Sequence, residues 1–381
     1  MNEIGARHRA EYEAEPDIVV SAPGTANLMG AHTEHSGGYV LQVAVNKRMY
    51  VSVSRRTDNS LRFFAADFGE RKRTTVATLK YKREDRWANY LKGVLHQLHA
   101  AGYRFKGMNI CVSGEISPKV GLASSAGIAT AMAAAANELF ELHIPPSRVA
   151  DIARRAEAVF MKQDAGMALP VAAMFAKRNQ ALLYDARKGS HVQVPLDLED
   201  AVLLVTDSRV PMSGTATDFQ QRAEDCQECL RMLQGRHAGS SLRDFSREDL
   251  REPLSQIPEL KRRRCLHVLG ENERVLESLE LIRRKDLVGL GKIMMRSHAS
   301  LRDMYETSCP EIDWLVKRSG ETEGVFGARL IGPGFGGCTM TLVKRSQLSA
   351  YHARMEEYER IFGFTPETFV VEVSGGVTRE R

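Results

Sequence analysis

The order of apolar and polar positions predicts strands and helices mixed along the whole chain. Ile4 to Tyr12 reads as a short polar helix, and Asp17 to Ala22 as a strand ending at Pro23-Gly24. Thr25 to Gly38 is polar and punctuated by glycine, a loop lined with potential hydrogen-bonding side chains. Strand-like pieces follow at Tyr39–Leu41, Val43–Val45, Tyr50–Val53 and Leu61–Phe64; Trp87 to Ala101 has helical spacing, and Met108 to Val112 is a strand. Val149 to Lys162 reads as a helix closed by Gly166 and Pro170, and Ala181–Asp185 and Ala201–Val205 as buried strands. From about Gln220 the chain turns mainly helical, through Arg264–Ile282, Leu287–Asp303 and Glu311–Arg318. A strand, a glycine-rich turn and a second strand occupy Ala328–Val343; a helix over Ser346–Phe362 and a strand over Thr368–Glu372 close the chain. Strand and helix do not alternate regularly, so the pattern predicts α+β rather than a doubly wound sheet. No internal repeat is visible.

One stretch carries candidate chemistry. Val120-Gly121-Leu122-Ala123-Ser124-Ser125-Ala126-Gly127 runs into Ile128–Phe140, which is built from strong helix formers. A long helix whose first turn is Ser124-Ser125 follows. Free N–H groups and the positive end of the helix dipole make such a start an anion site, and small residues let a ligand approach the backbone. The segment alone supports two readings: a cradle for nucleotide phosphates, or an alanine-rich core helix with an ordinary serine cap.

Composition narrows the class. At 381 residues, two domains sharing an interface are expected. With 43% hydrophobic and 27% charged residues, neither a disordered nor a membrane class fits. A net charge of +5 is small for this length and predicts no nucleic-acid partner; the run Lys261-Arg262-Arg263-Arg264 reads as a solvated helix face. Six scattered cysteines suit a reducing cytoplasm, and Cys226-x-x-Cys229 lacks the second pair a zinc site needs, so a structural role is expected. Met1 to Pro16 has no apolar core of a signal peptide, and no run approaches membrane-spanning length.

Three glycine-bearing stretches together resemble a known family. Pro23-Gly24-x-x-Asn27-Leu28-x-Gly30-x-His32-Thr33, Gly121-Leu122-x-Ser124-Ser125-Ala126 and Gly332-x-Gly334-Phe335-Gly336-Gly337-Cys338 resemble the three signature motifs of GHMP-superfamily small-molecule kinases. Trp87-Ala88-Asn89-Tyr90-x-Lys92-Gly93-Val94, Arg296-Ser297-His298-x-Ser300-Leu301 and Ser308-Cys309-Pro310-Glu311-x-Asp313 look like galactokinases in particular. The resemblance implies an α+β, two-lobed GHMP-kinase fold with ATP and substrate in the cleft between the lobes. Residues 1–195 would form an N-terminal lobe resembling ribosomal protein S5 domain 2, carrying the ATP loop and the acceptor-site motif. Residues 196–381 would form a ferredoxin-like C-terminal lobe with extra helices. Gly121, Leu122, Ser124, Ser125 and Ala126 would bind ATP, Ser125 and Glu157 would hold Mg²⁺, and His32, Glu34, Gly166 and Gly334 would contact the substrate. Lys119 stands where the family usually has the first glycine of the ATP loop.

The acceptor side departs from the family. The proton-accepting Asp of Gly-x-Met-Asp-Gln is replaced in Gly166-Met167-Ala168-Leu169-Pro170, where Leu169 takes its place. Asp164, the nearest acid, lies on the other side of Gly166. The Arg after Pro-Gly is Thr25, the Glu before His-Thr is Ala31, the following Asp is Glu34, and the sugar-contacting Tyr is Phe219. No residue is therefore expected to serve as the catalytic acid or base. Two functions remain open: a kinase for a sugar or related alcohol, unidentified, with weak or no activity on galactose, or a non-catalytic nucleotide-binding sensor. Oligomeric state is not predicted.

Overall fold

The computed structural model describes residues 3–117, 120–163, 165–212, 216–250 and 257–381, so Lys119 and Asp164 lie outside the described residues. An eight-stranded sheet holds β1 (Ile18–Met29), β2 (Tyr39–Arg55), β3 (Ser60–Ala65), β4 (Glu70–Thr75), β5 (Met108–Gly114), β6 (Gln180–Asp185) and β7 (Ser190–Pro195). A four-stranded sheet holds β8 (Ala201–Asp207), β9 (Val325–Ile331), β10 (Cys338–Lys344) and β11 (Glu367–Val371). The chain then returns to the first sheet with β12 (Thr378–Arg379), antiparallel to β1. The first sheet runs β12-β1-β2-β5-β3-β4, with β6 on β2 and β7 on β6; the second runs β11-β8-β10-β9. Helices α1 (Glu3–Tyr12), α2 (Ala88–Ala100), α3 (Ser124–Leu139), α4 (Pro146–Arg155) and α5 (Ala168–Phe175) precede β6. Helices α6 (Ala216–Gln234), α7 (Glu259–Arg283), α8 (Leu287–Ser300), α9 (Pro310–Gly320) and α10 (Leu348–Phe362) belong with the second sheet.

The expected end of the first strand at Pro23-Gly24 is not observed, because β1 continues to Met29. An irregularity in the β1–β2 pairing between Pro23 and Thr25 absorbs the proline and glycine. A bulge re-aims the side chains beyond it. Before it, Ile18, Val20 and Ala22 pack with α2 and α3; after it, Ala26 and Leu28 join Leu203, Val205, Met340 and Leu342 in a core shared with the second sheet. Thr25 and Asn27, on the opposite side, line a cleft. Gly24 is needed here, since a Cβ would sit 2.5 Å from Ile116 Cδ1 and 3.0 Å from Leu122 O.

Other differences have local causes. The pieces read at 39–45 and 50–53 are one strand of 17 residues. The strands β4 (Glu-Arg-Lys-Arg-Thr-Thr), β7 and β12 were not anticipated; β4 and β7 are outer strands whose sequences lack a continuous apolar run. Pro170 does not close a helix but sits in the first turn of α5, where its missing N–H is no loss. The helix read as Val149–Lys162 is α4 followed by a π-helical turn over Ala156–Phe160. The Lys261–Arg264 run is only partly a solvated face: Arg264 is buried against Asp225, while Lys261, Arg262 and Arg263 pair with Glu228, Glu259 and Glu306. Cys226 and Cys229 of α6 are fully buried in one apolar cluster with Cys265 of α7. Among the described residues no helix is long and apolar enough to cross a membrane.

Candidate active-site cleft

The three glycine stretches, far apart in sequence, meet backbone to backbone. Thr25 N donates to Leu122 O at 3.0 Å. Gly121 (φ 78°) and Gly332 (φ 78°) lie so close that a Cβ on Gly332 would stand 2.9 Å from Gly121 Cα. Only glycine tolerates both the left-handed backbone and this contact. Around the junction opens a cleft of about 1520 Å³ whose lining includes Thr25, His32, Glu34, Gly121, Ser124, Ser125, Glu157, Gly166, Leu169 and Gly332. Leu122 and Ala126 are buried beneath it, and Gly334 is buried against the backbone of Thr307.

At one end stands the start of α3. Ala123, left-handed at φ 49°, occupies the N-cap position and offers no side-chain cap, while Ser124 and Ser125 lie inside the first turn. An ordinary serine cap is therefore not what forms, although Ala129–Ala136 are buried as a core helix would have them. The first N–H groups of α3 open towards the cleft without a capping side chain. Beside them Glu157, 9% exposed, bonds with the Ser125 hydroxyl while its Oε1 has no hydrogen-bond partner. Burial pushes the Glu157 carboxyl up to about 7, opposed by the Ser125 bond. At the outer rim Phe68, Tyr81, Trp87 and Tyr90 supply aromatic surface.

The other end is built by the loop after β1. Glu34 accepts the backbone N–H groups of Met167 and, at 3.1 Å, of Ala168, so its carboxylate caps α5 directly above Gly166. Leu169, half-buried, presents an aliphatic side chain to the cleft, and the Thr25 hydroxyl is buried without a partner. The His32 ring lies between Tyr305 (4.6 Å) and Phe219 (5.9 Å), and burial together with nearby His267 pushes it down to about 3, so it is neutral.

Two features escaped the sequence. Gln42 lines the cleft, fully buried, within the apolar run Val40–Val45; a lone amide in such a run was the available signal. Glu271 of α7 is completely buried and accepts from Gly30 N (3.1 Å), Ala31 N (3.2 Å), Ser297 Oγ (2.7 Å) and Arg274 Nε (2.7 Å), with Arg329 Nη1 at 3.4 Å. His267 donates to Ala31 O at 3.1 Å. Nothing in the sequence separates these from surface charges.

Comparison with known proteins places the cleft in a family. The chain matches the galactokinase galactose-binding signature over residues 6–55, the GHMP kinases N terminal domain over 89–177 and the GHMP kinases C terminal domain over 278–359. It is 34% identical over 380 residues to the galactokinase of Roseiflexus sp., covering 99% of this chain and 96% of that one. The chain belongs to the galactokinase family. A second galactokinase, from Thermotoga maritima, is 34% identical over 361 residues, 94% of this chain and 99% of that one. The crystal structure of Lactococcus lactis galactokinase complexed with galactose has a TM-score of 0.93 at 27% identity, covering 98% of each chain. Methanococcus jannaschii mevalonate kinase shares the fold alone, with a TM-score of 0.68 at 14% identity over 94% of this chain and 98% of that one. The α+β GHMP-kinase fold expected from the motifs is thus the one observed. Within this galactokinase-family chain, Thr25, Ala31 and Glu34 all fall inside the stretch that matches the galactose-binding signature.

Proposed function

We propose that the protein binds Mg-ATP in this cleft and transfers phosphate to a small sugar or related alcohol, with weak or no activity on galactose. One observation carries the reading: an uncapped helix start beside an under-partnered buried carboxylate, facing an acceptor end that holds Leu169 and Thr25. The N–H groups of Ser124, Ser125 and Ala126 suit phosphate oxygens, and the aromatic rim around Trp87 suits a purine base. Glu157, with a buried oxygen lacking any donor, and the Ser125 hydroxyl suit Mg²⁺, a hard ion that prefers oxygen. When bound, the ion would neutralise charge on the phosphates. Residues 1–195 and 196–381 are taken as the two lobes, and a reducing cytoplasm suits the free cysteines.

The weak galactose activity follows from chemistry at the acceptor end. Leu169 cannot accept a proton, Thr25 carries no positive charge, and Glu34 is occupied by the backbone at the start of α5. Phosphoryl transfer rests largely on positioning and charge stabilisation, so loss of the base slows rather than forbids it. The same substitutions support a second reading, a non-catalytic sensor that closes on nucleotide. Turnover of Mg-ATP against a panel of sugars and small alcohols decides between them. Consumption with any acceptor supports the kinase; a thermal shift with Mg-ATP but no turnover supports the sensor; galactose phosphorylation at an ordinary kinase rate overturns the proposed weakness.

A further inference from the structure

The aromatic end of the cleft is carried by a short turn that hangs from one buried ammonium group. Asn89 and Lys92 lie three residues apart on one face of α2, and both are buried, Lys92 to 1% exposure. Lys92 Nζ donates to Asp85 Oδ2 at 2.7 Å and to Asn89 Oδ1 at 3.3 Å. The Asn89 amide in turn brackets Lys82: its Nδ2 donates to Lys82 O at 2.7 Å and its Oδ1 accepts from Lys82 N at 3.3 Å. From β4, Lys72 Nζ donates to Glu84 O at 2.8 Å, and Glu70 accepts from Trp87 Nε1 at 2.9 Å and from the Arg86 guanidinium. Residues 82–87 are thus held from two elements. Arg83, Arg86, Trp87, Asn89 and Tyr90 line the cleft; Lys92 itself does not.

Arg86 stands at φ 38° and ψ −109°, a conformation that residues with a side chain seldom adopt. Such a backbone persists only where its neighbours over-determine it, and it collects at ligand clamps. Here the neighbours are Asp85, fixed by Lys92, and Trp87, fixed by Glu70. A buried ion pair is a weak source of stability, because an apolar side chain fills the same position without desolvating charge. What the Lys92 ammonium supplies is a fixed place for the turn.

We propose that Lys92 is a positioning residue for the nucleotide. Through Asp85 it fixes the turn 82–87, keeps Arg86 in its strained conformation and sets the Trp87 ring where the purine base stacks. The inference rests on reading the cleft as a Mg-ATP site. The phosphate end, at the start of α3, is built from other residues, so the effect of Lys92 is confined to the base.

Calorimetric titration of the full chain with Mg-ATP and, separately, with Mg-tripolyphosphate distinguishes the two ends, since tripolyphosphate carries no base. Lys92→Met should weaken Mg-ATP at least about tenfold and leave Mg-tripolyphosphate within about twofold. That variant also leaves Asp85 without its cation, which lowers the melting temperature. The paired variant, Lys92→Met with Asp85→Asn, removes both charges. It should regain most of the melting temperature and still show the selective loss of Mg-ATP. Recovery of Mg-ATP affinity along with stability in the paired variant would make the ion pair merely structural and overturns the inference. An equal loss for ATP and tripolyphosphate overturns it as well. A parent that binds tripolyphosphate as tightly as ATP holds no base at this end, which overturns the inference while leaving the phosphate cradle intact. A parent that binds neither ligand removes the reading of the cleft itself.

Discussion

Glu157 is the residue at which burial and charge conflict most directly. Its folded-state pKa of about 7 stands above the ordinary 4.5, so between those values the folded chain holds a proton that the unfolded chain has released. Its contribution to stability therefore falls as pH rises from 4.5 to 7, by about 1.4 kcal/mol per pH unit. In metal-free buffer, Glu157→Gln should abolish that fall, measured as the difference between parent and variant unfolding free energies at pH 5 and pH 7.5. A constant difference would show that the carboxylate is already solvated. The same variant, and Ser125→Ala, should reduce the Mg-dependent thermal shift with ATP. The acceptor end offers a gain-of-function test: Leu169→Asp with Thr25→Arg should raise galactose phosphorylation at least about tenfold if only a base and a cation are missing. No gain would locate the deficit in Ala31, Glu34 and Phe219 instead. Leu169 and Thr25 were legible because motif spacing fixes their places. Gln42 was not, because a polar residue inside an apolar run reveals its burial only once the neighbouring strand is placed.

Among elements, α7 and the loop after β1 are the pair that sets the acceptor end. Glu271 holds the backbone at Gly30 and Ala31, His267 holds Ala31 O, and the next residue, His32, enters the cleft in the left-handed region at φ 58°. Two residues on, Glu34 fixes the start of α5, which carries Leu169. A helix of the second half thus orients side chains of the first. Glu271 is buried, which raises its pKa, yet Arg274 and Arg329 outweigh that and hold it at about 2. Glu271→Ala leaves Arg329, itself 1% exposed, without its carboxylate. A loss of about 3–5 kcal/mol in chemical denaturation is expected, and a loss below about 1 kcal/mol would mean that the clamp is not holding the loop. Strong elements such as α3, a run of strong helix formers, and β8, a continuous apolar run, could be read from their own residues alone. The bulge at Pro23-Gly24 and the outer strand β4 could not, because each depends on a partner strand rather than on its own sequence.

For the whole molecule, histidines that must remain neutral fix the response to acid: His8 ties α1 to β2 within the first half, and His267 ties the second half to the first. His8 bonds both Ser52 Oγ (2.9 Å) and Ser54 Oγ (3.0 Å), and His267 bridges Ala31 O and Ser300 Oγ. Burial pushes both down to about 4, and His32 to about 3, from an ordinary 6.5. Below pH 6.5 the unfolded chain binds protons that the folded chain refuses, so stability falls as pH drops. At pH 5 each histidine contributes a loss of about 2 kcal/mol relative to neutral pH, or about 6 kcal/mol for the three. Glu157 works in the opposite direction over the same interval, regaining about 2 kcal/mol between pH 7 and pH 5. The histidines outweigh the carboxylate, and the metal-free protein should be less stable at pH 5 than at pH 7 by about 3–4 kcal/mol. Glu271 adds a further decline as pH falls from 4.5 towards 2, where its ion pairs are lost. Urea unfolding at the two pH values measures the balance. His8→Asn, which keeps a polar group between the serines but cannot titrate, should remove about a third of the histidine loss. Higher stability at pH 5 than at pH 7 would show that these histidines are protonated in the fold.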